Sequence, residues 1–545
     1  MSSVSSPRLI IIGIDGGDPI LIEQYLKQNR LPNIKRLIHS GLFCPLRSTI
    51  PPTTFPAWTN FMTGSTPGIH GITDFTVKQG YNIQFVGAFR RNVRTIFEYI
   101  CDNGLTVGVA WFPATYPPIP LNGFHISGWD SPVSNQGDAS FVHPASLHTE
   151  LQRRFPDEHL RFNTINEFND HPNWYLNAKA ALLNSVSRRA EMACWLLEHQ
   201  PTDVAAFYFG ETDTVAHHFH AFADEKSPRR PDSVDPRLET AIAEVYERID
   251  AAIGDIQQRA GNVPMILVSD HGVMGNADIA VYLNRFLHGH GLLQFKSAGR
   301  LSALMSRNQI RFIPARFRRN LFRAFGGIFP SWYESRLRFG RIDFNRTIAF
   351  SEEIPYAPAI WLNQAGREPK GQVRFRDREN RISDIMSALK TFTHADGTPV
   401  VQNMYRREEL HEGALHLFPD IVLQFTPIQG YMPICQNSKG IPGQSLEKMN
   451  RAQLLGRKGT SMPGGHAPYG IFISNMPFYQ KVPNPLHLHE VASLIYELLD
   501  IWPPEGDDMK TVPQISVSSP RQRAYTAMEQ RIVAQRLKRL GYLEE

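Results

Sequence analysis

The chain has 545 residues, and this length fits one large α/β domain with insertions or two to three domains rather than one minimal domain. Apolar residues make up 42% of it and charged residues 20%, a composition that excludes a wholly disordered protein. The 57 Lys and Arg residues exceed the 52 Asp and Glu residues by only five, so charge alone gives no reason to expect a nucleic-acid partner.

Five short apolar runs predict the strands of the core. They lack clean alternation, as expected of strands buried on both faces, and they occupy residues 9–15, 107–112, 204–210, 265–270 and 421–425. Helical patterns lie between them at residues 19–28, 93–103, 174–199, 236–260, 380–391 and 486–499. This alternation predicts an α/β fold with a doubly wound, mostly parallel sheet, in which ligands bind beyond the C-terminal ends of the strands.

The N-terminal apolar stretch is short and ends at Asp15, so we interpret it as a first strand and not as a signal peptide. No run approaches the ~20 apolar residues of a membrane-spanning helix. The four cysteines are widely spaced and match no zinc ribbon or disulfide framework, which favours reduced thiols in a cytoplasmic protein.

Two regions interrupt the strand and helix pattern. Residues 296–341 are rich in arginine and contain one acidic residue, Glu334, which predicts a basic helical cap. That cap is either a solvated helix over the main domain or a surface that steers anions or contacts a membrane. We therefore predict a core at 1–285, the inserted cap at 286–343, the rest of the core at 344–505 with a small α/β excursion at about 366–419, and a tail with a helix at 506–545.

Reactive groups occur first near the N-terminus. Asp15 follows the first predicted strand and precedes two glycines, so its carboxylate would approach an ion without steric conflict, although Asp at a strand end is often only a helix cap. Thr53 and Thr54 come just before Phe55 and Pro56. A hydroxyl on the first turn of a helix meets the positive end of the helix dipole, which suits a nucleophile that attacks an anionic centre, but a plain helix cap is the alternative.

A second group of reactive residues follows the strand predicted at 204–210. Asp213 and His217 are four residues apart, so a helix would present both on one face, a spacing that suits metal binding. His218 and His220 are close enough to leave the choice of histidine open by one turn, and a surface histidine cluster is the alternative.

Two further histidines follow later strands. Asp270 and His271 end the strand predicted at 265–270 and precede a glycine, so both side chains can turn inward. His466 lies in a glycine-rich loop just before another apolar run, and such a loop can reach a site from far along the chain. Either segment taken alone could be purely structural.

The combination is far more specific than its parts. Three carboxylates, three histidines and one hydroxyl fall at or just past predicted strand ends: Asp15, Asp213, Asp270, His217, His271, His466 and Thr54. Three oxygen and three nitrogen ligands suit two divalent transition ions such as zinc or manganese. Two such ions outweigh three carboxylates by one positive charge, which would favour a phosphoryl group, and paired ions clamp the attacking and leaving oxygens of such a group.

This ordered set of motifs resembles the alkaline phosphatase superfamily, and within it the type I phosphodiesterase/nucleotide pyrophosphatase family and related predicted phosphohydrolases or phosphomutases. The resemblance spans most of residues 8–290 and 340–500, and it implies a central, mainly parallel sheet between helices and a metal-dependent phosphoric ester hydrolase. Carried over by motif, Thr54 would be the nucleophile. The resemblance also implies that one ion is held by Asp213, His217 and His466, and the other by Asp15, Thr54, Asp270 and His271.

Several functions use this ligand set. Sulfatases of the superfamily use Cys or Ser followed by x-Pro-x-Arg, whereas this chain has Thr54 and places Trp58 where the Arg would be, so a sulfatase is disfavoured. A hydrolase acting through a phospho-threonine on a small phosphate ester is the leading hypothesis. A phosphomutase or phosphotransferase with the same site, and a non-catalytic protein that binds anions or a membrane surface, are the alternatives. No specific nucleic-acid partner is expected, and the oligomeric state stays open.

The sequence also suggests residues that could contact the substrate. Phe55 or Tyr116 would stack on a base, unless they only pack in the wall of the site. Arg90 and Arg91 are candidate contacts for an anion, although exposed arginines are common.

Overall fold

The computed structural model describes residues 6–128, 139–155, 165, 173–296, 329–455, 462–478, 482–502, 530 and 533–534. Most of the predicted basic cap and nearly all of the predicted tail helix therefore lie outside the described residues. The division of the chain into four units stays a prediction. None of the helices in the described part has the length and apolar character needed to span a bilayer.

The strands of the described residues are numbered in chain order. They are β1 (Leu9–Ile14), β2 (Leu42–Arg47), β3 (Thr76–Gln79), β4 (Asn82–Phe85), β5 (Val107–Ala110), β6 (Gly123–Ile126), β7 (Val142–His143), β8 (Val204–Phe209), β9 (Met265–Val268), β10 (Gly272–Val281), β11 (Ala349–Phe350), β12 (Ala359–Leu362), β13 (Val401–Arg406), β14 (Ile421–Phe425), β15 (Met432–Cys435), β16 (Leu446–Lys448), β17 (Gly464–Ala467), β18 (Tyr469–Ser474) and β19 (Leu486–His487).

The α-helices of the same residues are numbered likewise. They are α1 (Pro19–Lys27), α2 (Pro32–Ser40), α3 (Thr54–Thr63), α4 (Pro67–His70), α5 (Ile96–Asp102), α6 (Ala145–Arg154), α7 (Trp174–His199), α8 (Glu211–Ala223), α9 (Pro236–Glu239), α10 (Ala241–Ala260), α11 (Leu283–Gly289), α12 (Phe329–Phe339), α13 (Arg378–Lys390), α14 (Arg407–Leu410), α15 (Arg451–Leu454) and α16 (Val491–Leu499).

Nine strands form one large sheet, called the main sheet, in the order β19-β2-β18-β9-β1-β8-β5-β6-β7. β1 pairs in parallel with β8 and β9, and β5 pairs in parallel with β6 and β8. All six residues of the central strand β1 are buried, as expected of a strand that is covered on both faces. The predicted doubly wound, mostly parallel sheet is confirmed, and the C-terminal ends of β1, β8 and β9 lie side by side.

A separate antiparallel sheet, called the small sheet, has the order β11-β12-β14-β13. Its inner face packs with α13 in a second hydrophobic cluster that includes Ile360 and Ile385. The hairpin β3–β4 joins this cluster through Ile83, and the buried Lys78 on β3 pairs with Glu368 at 2.7 Å. The β3–β4 hairpin, which follows α3 and α4 in the chain, therefore packs against the small-sheet region.

Several predicted segments differ from the structure. The helix predicted at 486–499 begins at Val491, because residues 486–487 pair with β2 as β19, and the helix predicted at 236–260 is divided into α9 and α10. Residues 421–425 form β14 of the small sheet and not a strand of the main sheet. An apolar run indicates burial, but it carries no information about which strands are its partners. His466 lies on β17, which pairs with β10, and not in a loop. Its glycines permit this strand, because a Cβ on Gly464 would lie 2.2 Å from the carbonyl oxygen of Ala216.

Candidate active site

Most of the predicted site residues lie just past the C-terminal ends of the main-sheet strands β1, β8 and β9, whereas Thr54 begins α3 and His466 lies on β17. Asp15 directly follows β1, and Trp58 Nε1 donates to its Oδ2 at 3.1 Å. The hydroxyl of Tyr208 donates to the same oxygen, and Thr212 Oγ1 donates to the backbone carbonyl of Asp15. The helix cap here is Asp18, which accepts from two backbone N–H groups of α1. Asp15 is therefore held by side chains and does not cap α1.

A first group of potential ligands consists of Asp213, His217 and His466. Oδ1 of Asp213 lies 3.2 Å from Nε2 of His217 and 3.6 Å from Nε2 of His466, and the two histidine nitrogens lie 3.1 Å apart. Asp213 and His217 share one face of α8, whereas His466 comes from β17. All three side chains are buried, so one oxygen and two nitrogens converge on one point.

A second group consists of Asp15, Asp270 and His271. Nε2 of His271 lies 3.2 Å from Oδ2 of Asp270 and 3.6 Å from Oδ1 of Asp15. Gly16 N donates to the other oxygen of Asp270 at 3.2 Å. Gly16 has a φ of 63°, and a Cβ there would lie 2.9 Å from the Cα of Asp213. The glycine after Asp15 thus lets the second group approach the first.

The three histidines share one hydrogen-bonding pattern, in which Nδ1 contacts a backbone oxygen. Their Nδ1 atoms lie 2.8 Å, 2.7 Å and 2.9 Å from the backbone oxygens of Gly464, Pro52 and Gly272, for His217, His466 and His271 respectively. A carbonyl oxygen only accepts hydrogen bonds, so each Nδ1 carries the proton and each Nε2 presents a lone pair. Metal-binding histidines are held in this way by hydrogen bonds to their second nitrogen.

Thr54 is the first residue of α3 and is fully buried. Its Oγ1 lies 3.5 Å from Nε2 of His271. The cap position belongs to Thr53, whose side chain makes no capping hydrogen bond. The hydroxyl of Thr54 therefore lies beside the second group and at the positive end of the helix dipole.

Burial and neighbouring charges shift the pKa values of the side chains in the two groups. Burial, and then the carboxylate of Asp213, raise the pKa of Asp15 well above its usual value. Burial, followed by the charges of Asp15 and Asp213, does the same to the pKa of Asp270. Burial lowers the pKa of His271 to about 4, so this ring is neutral near pH 7.

Burial opposes the charge of His217, but the carboxylate of Asp213 outweighs burial and raises the pKa of this histidine. Burial likewise opposes the charge of Asp213, but His217 outweighs it and lowers the pKa of this carboxyl. The second group thus holds two carboxyls of raised pKa beside a neutral imidazole, whereas Asp213 and His217 form an attractive pair in the first group.

These donor sets fit divalent cations. Tetrahedral ligands at ~2.0–2.2 Å from a zinc ion lie ~3.3–3.6 Å from one another, close to the distances within each group. Oδ1 of Asp15 and Oδ2 of Asp270 are buried, and no hydrogen-bond donor reaches them from the described part of the chain. The ring centroids of His271 and His466 lie only 3.8 Å apart, so the two groups are adjacent.

Other residues considered from the sequence lie elsewhere. His218 packs edge-on against Trp174, and His220 lies next to Gly275, so His217 is the histidine of α8 that faces the site. Phe55 is fully buried against Phe75, and Tyr116 is 4% exposed, so neither ring is accessible for stacking on a base.

The two candidate arginines have local partners. Arg91 Nε donates to the backbone oxygen of Val93 at 2.9 Å, and Arg90 donates to the side chain of Gln84. A cleft lies beside the start of α3, and its walls include Pro51 and Thr53 on one side. The opposite wall comes from residues 352–361 and 417–422, which belong to or flank the small sheet.

Sequence reasoning missed the residues that support the ligands. Trp58 and Tyr208 both donate a hydrogen bond to Asp15. Each is an aromatic residue with a polar group inside a fully buried helix or strand, and such a group needs a hydrogen-bond partner, which is the clue that could have identified them. Tyr356 stacks on His466, with ring centroids 5.0 Å apart and 21° between the rings. No spacing or motif near Tyr356 indicates that role, because its contact crosses from one sheet to another.

Comparisons with solved structures give the same fold. Phosphonoacetate hydrolase from Sinorhizobium meliloti 1021, in complex with phosphonoformate and in complex with phosphonoacetate, is 15% identical with a TM-score of 0.50. Both matches cover 91% of the present chain and 96% of the phosphonoacetate hydrolase chain. Murine ectonucleotide pyrophosphatase/phosphodiesterase 5, an inactive variant in complex with AMP, is 14% identical with a TM-score of 0.44, covering 92% of this chain and 97% of that one. The match to phosphonoacetate hydrolase agrees with the predicted α/β fold around a mostly parallel sheet.

No curated protein matches the chain. The family model of type I phosphodiesterase/nucleotide pyrophosphatase matches residues 9–434, which include every predicted ligand except His466. The chain belongs to the type I phosphodiesterase/nucleotide pyrophosphatase family and is a phosphoric ester hydrolase.

Proposed function

We propose that the chain hydrolyses a small phosphate ester through a phospho-threonine on Thr54, with two divalent ions, zinc or manganese, at the two ligand groups. The observation that carries this proposal is the position of Thr54 Oγ1, 3.5 Å from Nε2 of His271 at the N-terminus of α3. A buried hydroxyl that only capped a helix would have no reason to lie beside six converging ligands.

Ions bound at the two groups would supply Lewis-acid charge that lowers the pKa of a bound hydroxyl and stabilises negative charge on a phosphoryl group. Thr54 is then the attacking group: its Oγ gives up its proton to solvent and forms a bond to phosphorus as the bond between phosphorus and the leaving oxygen breaks, and the leaving oxygen takes up a proton from solvent. The partial positive charge at the start of α3 favours the phosphoryl oxygens. Attack by water on phosphorus afterwards breaks the bond to Oγ and releases phosphate or a phosphate monoester.

The histidines and Trp58 hold the reacting centre in place. Each histidine is fixed by its bond from Nδ1 to a backbone oxygen, so Nε2 is oriented before any ion binds. Trp58 fixes Asp15, and the cleft beside α3 is a suitable place for the leaving group. A phosphomutase or phosphotransferase would use the same first step, so products separate these functions: released phosphate or monoester against an isomerised or transferred ester.

The decisive experiment compares Thr54→Ala with the wild-type chain in the presence of zinc or manganese. We expect turnover of p-nitrophenyl phosphate or bis-p-nitrophenyl phosphate to fall by a factor on the order of 10³ or more, while metal content stays at the wild-type level. Brief reaction and acid quenching of the wild-type chain should yield a phosphopeptide containing Thr54.

Thr59→Ala is the matched control, because Thr59 is buried in the same helix and its Oγ1 donates to the backbone oxygen of Phe55 at 2.7 Å. It should retain turnover per folded molecule. Full activity of Thr54→Ala would eliminate the proposed nucleophile.

We also propose a cytoplasmic location, which the four free cysteines at positions 44, 101, 194 and 435 support. Contact of the basic region with a membrane surface stays a proposal, because most of that region lies outside the described residues. The absence of a specific nucleic-acid partner is likewise only an expectation from charge.

A further inference from the structure

Three aromatic rings form a stack that crosses from the main sheet to the small sheet. The imidazole of His466 stacks with the imidazole of His271, at 3.8 Å between centroids, and with the phenol ring of Tyr356, at 5.0 Å. Both pairs are stacked with 21° between the ring planes. The Tyr356 ring also lies 5.3 Å from the ring of His217, so it contacts both histidines of the first ligand group.

The loop that carries Tyr356 is fixed from outside the small sheet. Glu353 has a φ of 54°, a left-handed conformation that an ordinary residue keeps only when its surroundings hold it. Its buried carboxylate accepts from the backbone N–H of Asn284 at 2.9 Å and from that of Ser438 at 2.7 Å. The side chain of Ser351 accepts from the N–H of Glu353 at 3.0 Å. Tyr356 is therefore presented by a loop that is anchored at several points.

The bond from Nδ1 of His466 to the backbone oxygen of Pro52 directs Nε2 towards the ligand group, and the tilt that this bond still permits is restricted by the rings stacked on the imidazole. The two stacked rings set the plane in which Nε2 points to Asp213 and His217. We propose that Tyr356 is a positioning residue that acts through His466 to set the metal affinity of the group Asp213, His217 and His466. This inference rests on the proposed two-ion function.

The expected effect is selective. Loss of a residue that orients a metal ligand weakens metal binding by about 10–100-fold. Tyr356→Ala should therefore weaken binding of one ion at least about tenfold, while the other ion keeps its affinity within about threefold. Tyr356→Phe retains the ring and should bind both ions as the wild-type chain does, because the proposal assigns the effect to stacking and not to the hydroxyl.

The experiment is a zinc titration of the full chain against a chromophoric chelator, together with cobalt absorption spectra of each variant. Tyr405→Ala is the matched control, because Tyr405 lies on β13 of the small sheet and its hydroxyl bonds Gln424. Tyr356→Leu keeps bulk without an aromatic ring and replaces Tyr356→Ala if that variant unfolds, as judged by thermal unfolding in chelator.

The expected result is a weakened first ion and an altered cobalt spectrum in Tyr356→Ala or Tyr356→Leu only. Equal affinities in these variants and in Tyr405→Ala would overturn the inference, as would a loss in Tyr356→Phe as large as that in Tyr356→Ala. A wild-type chain that does not bind two ions would overturn the proposed function and this inference together, so the two failures are distinguishable.

Discussion

The main sheet and the small sheet both bury carboxylates, but they neutralise them differently. In the small-sheet region, the fully buried Asp420 is surrounded by arginines: Arg367 at 2.8 Å, Arg378 at 3.0 Å and Arg407 at 3.5 Å. At the edge of the main sheet, in the described part of the chain, the only basic side chain within 4.0 Å of Asp15 and Asp270 is that of His271, which is neutral near pH 7.

This difference separates a structural carboxylate from a ligand. Burial alone would raise the pKa of Asp420, but Arg367 and Arg407 outweigh it and hold that pKa below the usual value. The pKa values of Asp15 and Asp270 are raised instead, because burial and neighbouring carboxylates act together. A buried carboxyl without a cationic partner either takes up a proton or binds a metal ion, and the adjacent His271 makes the second possibility the one that we propose for Asp15 and Asp270.

The strongest test of this comparison is Asp270→Asn at the main sheet. Asn retains an oxygen for the N–H of Gly16 but removes the charge. We expect turnover to fall by a factor on the order of 10³, at least the loss caused by removing one electrostatic stabiliser of a transition state, and we expect bound metal to fall by one equivalent.

In chelator, the thermal stability of Asp270→Asn should equal or exceed that of the wild-type chain, because the substitution relieves repulsion from Asp15 and Asp213. Metal analysis and thermal unfolding check both parts. A variant that is strongly destabilised in chelator would mean that Asp270 is a structural carboxylate like Asp420.

The corresponding change in the small-sheet region is Asp420→Asn. It leaves Arg367, Arg378 and Arg407 without their shared buried anion, and breaking a buried ion pair in this way costs about 3–5 kcal/mol of unfolding free energy. Denaturant unfolding at pH 7 measures the loss. Per folded molecule, metal content and turnover should match the wild-type chain.

The stabilising contribution of the Asp420 carboxylate to the fold should depend on pH in a defined direction. Because the folded-state pKa of Asp420 lies below its usual value of 3.8, the carboxylate stabilises the fold above that value, and the contribution is lost as pH falls through the folded-state pKa. The difference in stability between the wild-type chain and Asp420→Asn should therefore shrink as the solution is acidified below about pH 4. A difference that grows on acidification would contradict the assigned role of the arginines.

The same contrast explains what could be predicted from the sequence. The ligands of the main sheet follow strands, so strand patterns and the spacing of Asp213 and His217 indicated where they lie. Helix 174–199 was predicted with its observed bounds, since its apolar positions recur at helical spacing. The position of β14 in the small sheet and the contact of Tyr356 with His466 depend on pairings between distant segments, which neither composition nor periodicity records.

Two tryptophans give the finest test of the comparison, because each donates an indole N–H to a carboxylate in one of the two regions. Trp58 donates to Asp15 at 3.1 Å beside the main sheet, and Trp361 donates to Glu352 at 3.0 Å on the small sheet. Phe at either position keeps an aromatic ring and removes the donor. Both variants should lose about 1 kcal/mol or more of stability, the usual cost of one buried hydrogen bond.

Only Trp58→Phe should also weaken metal binding, by about tenfold, because the carboxylate of Asp15 then keeps the bond from Tyr208 but loses one of the two side-chain donors that orient it towards Asp270 and His271. Glu352 keeps its ion pair with Arg338 at 2.9 Å, so Trp361→Phe should leave metal affinity unchanged. Zinc titration and denaturant unfolding of the two variants measure both quantities side by side. Equal loss of metal affinity in both would show that the small sheet shapes the ligand groups as a whole, and would remove the distinction between a carboxylate held for an ion and one held for the fold.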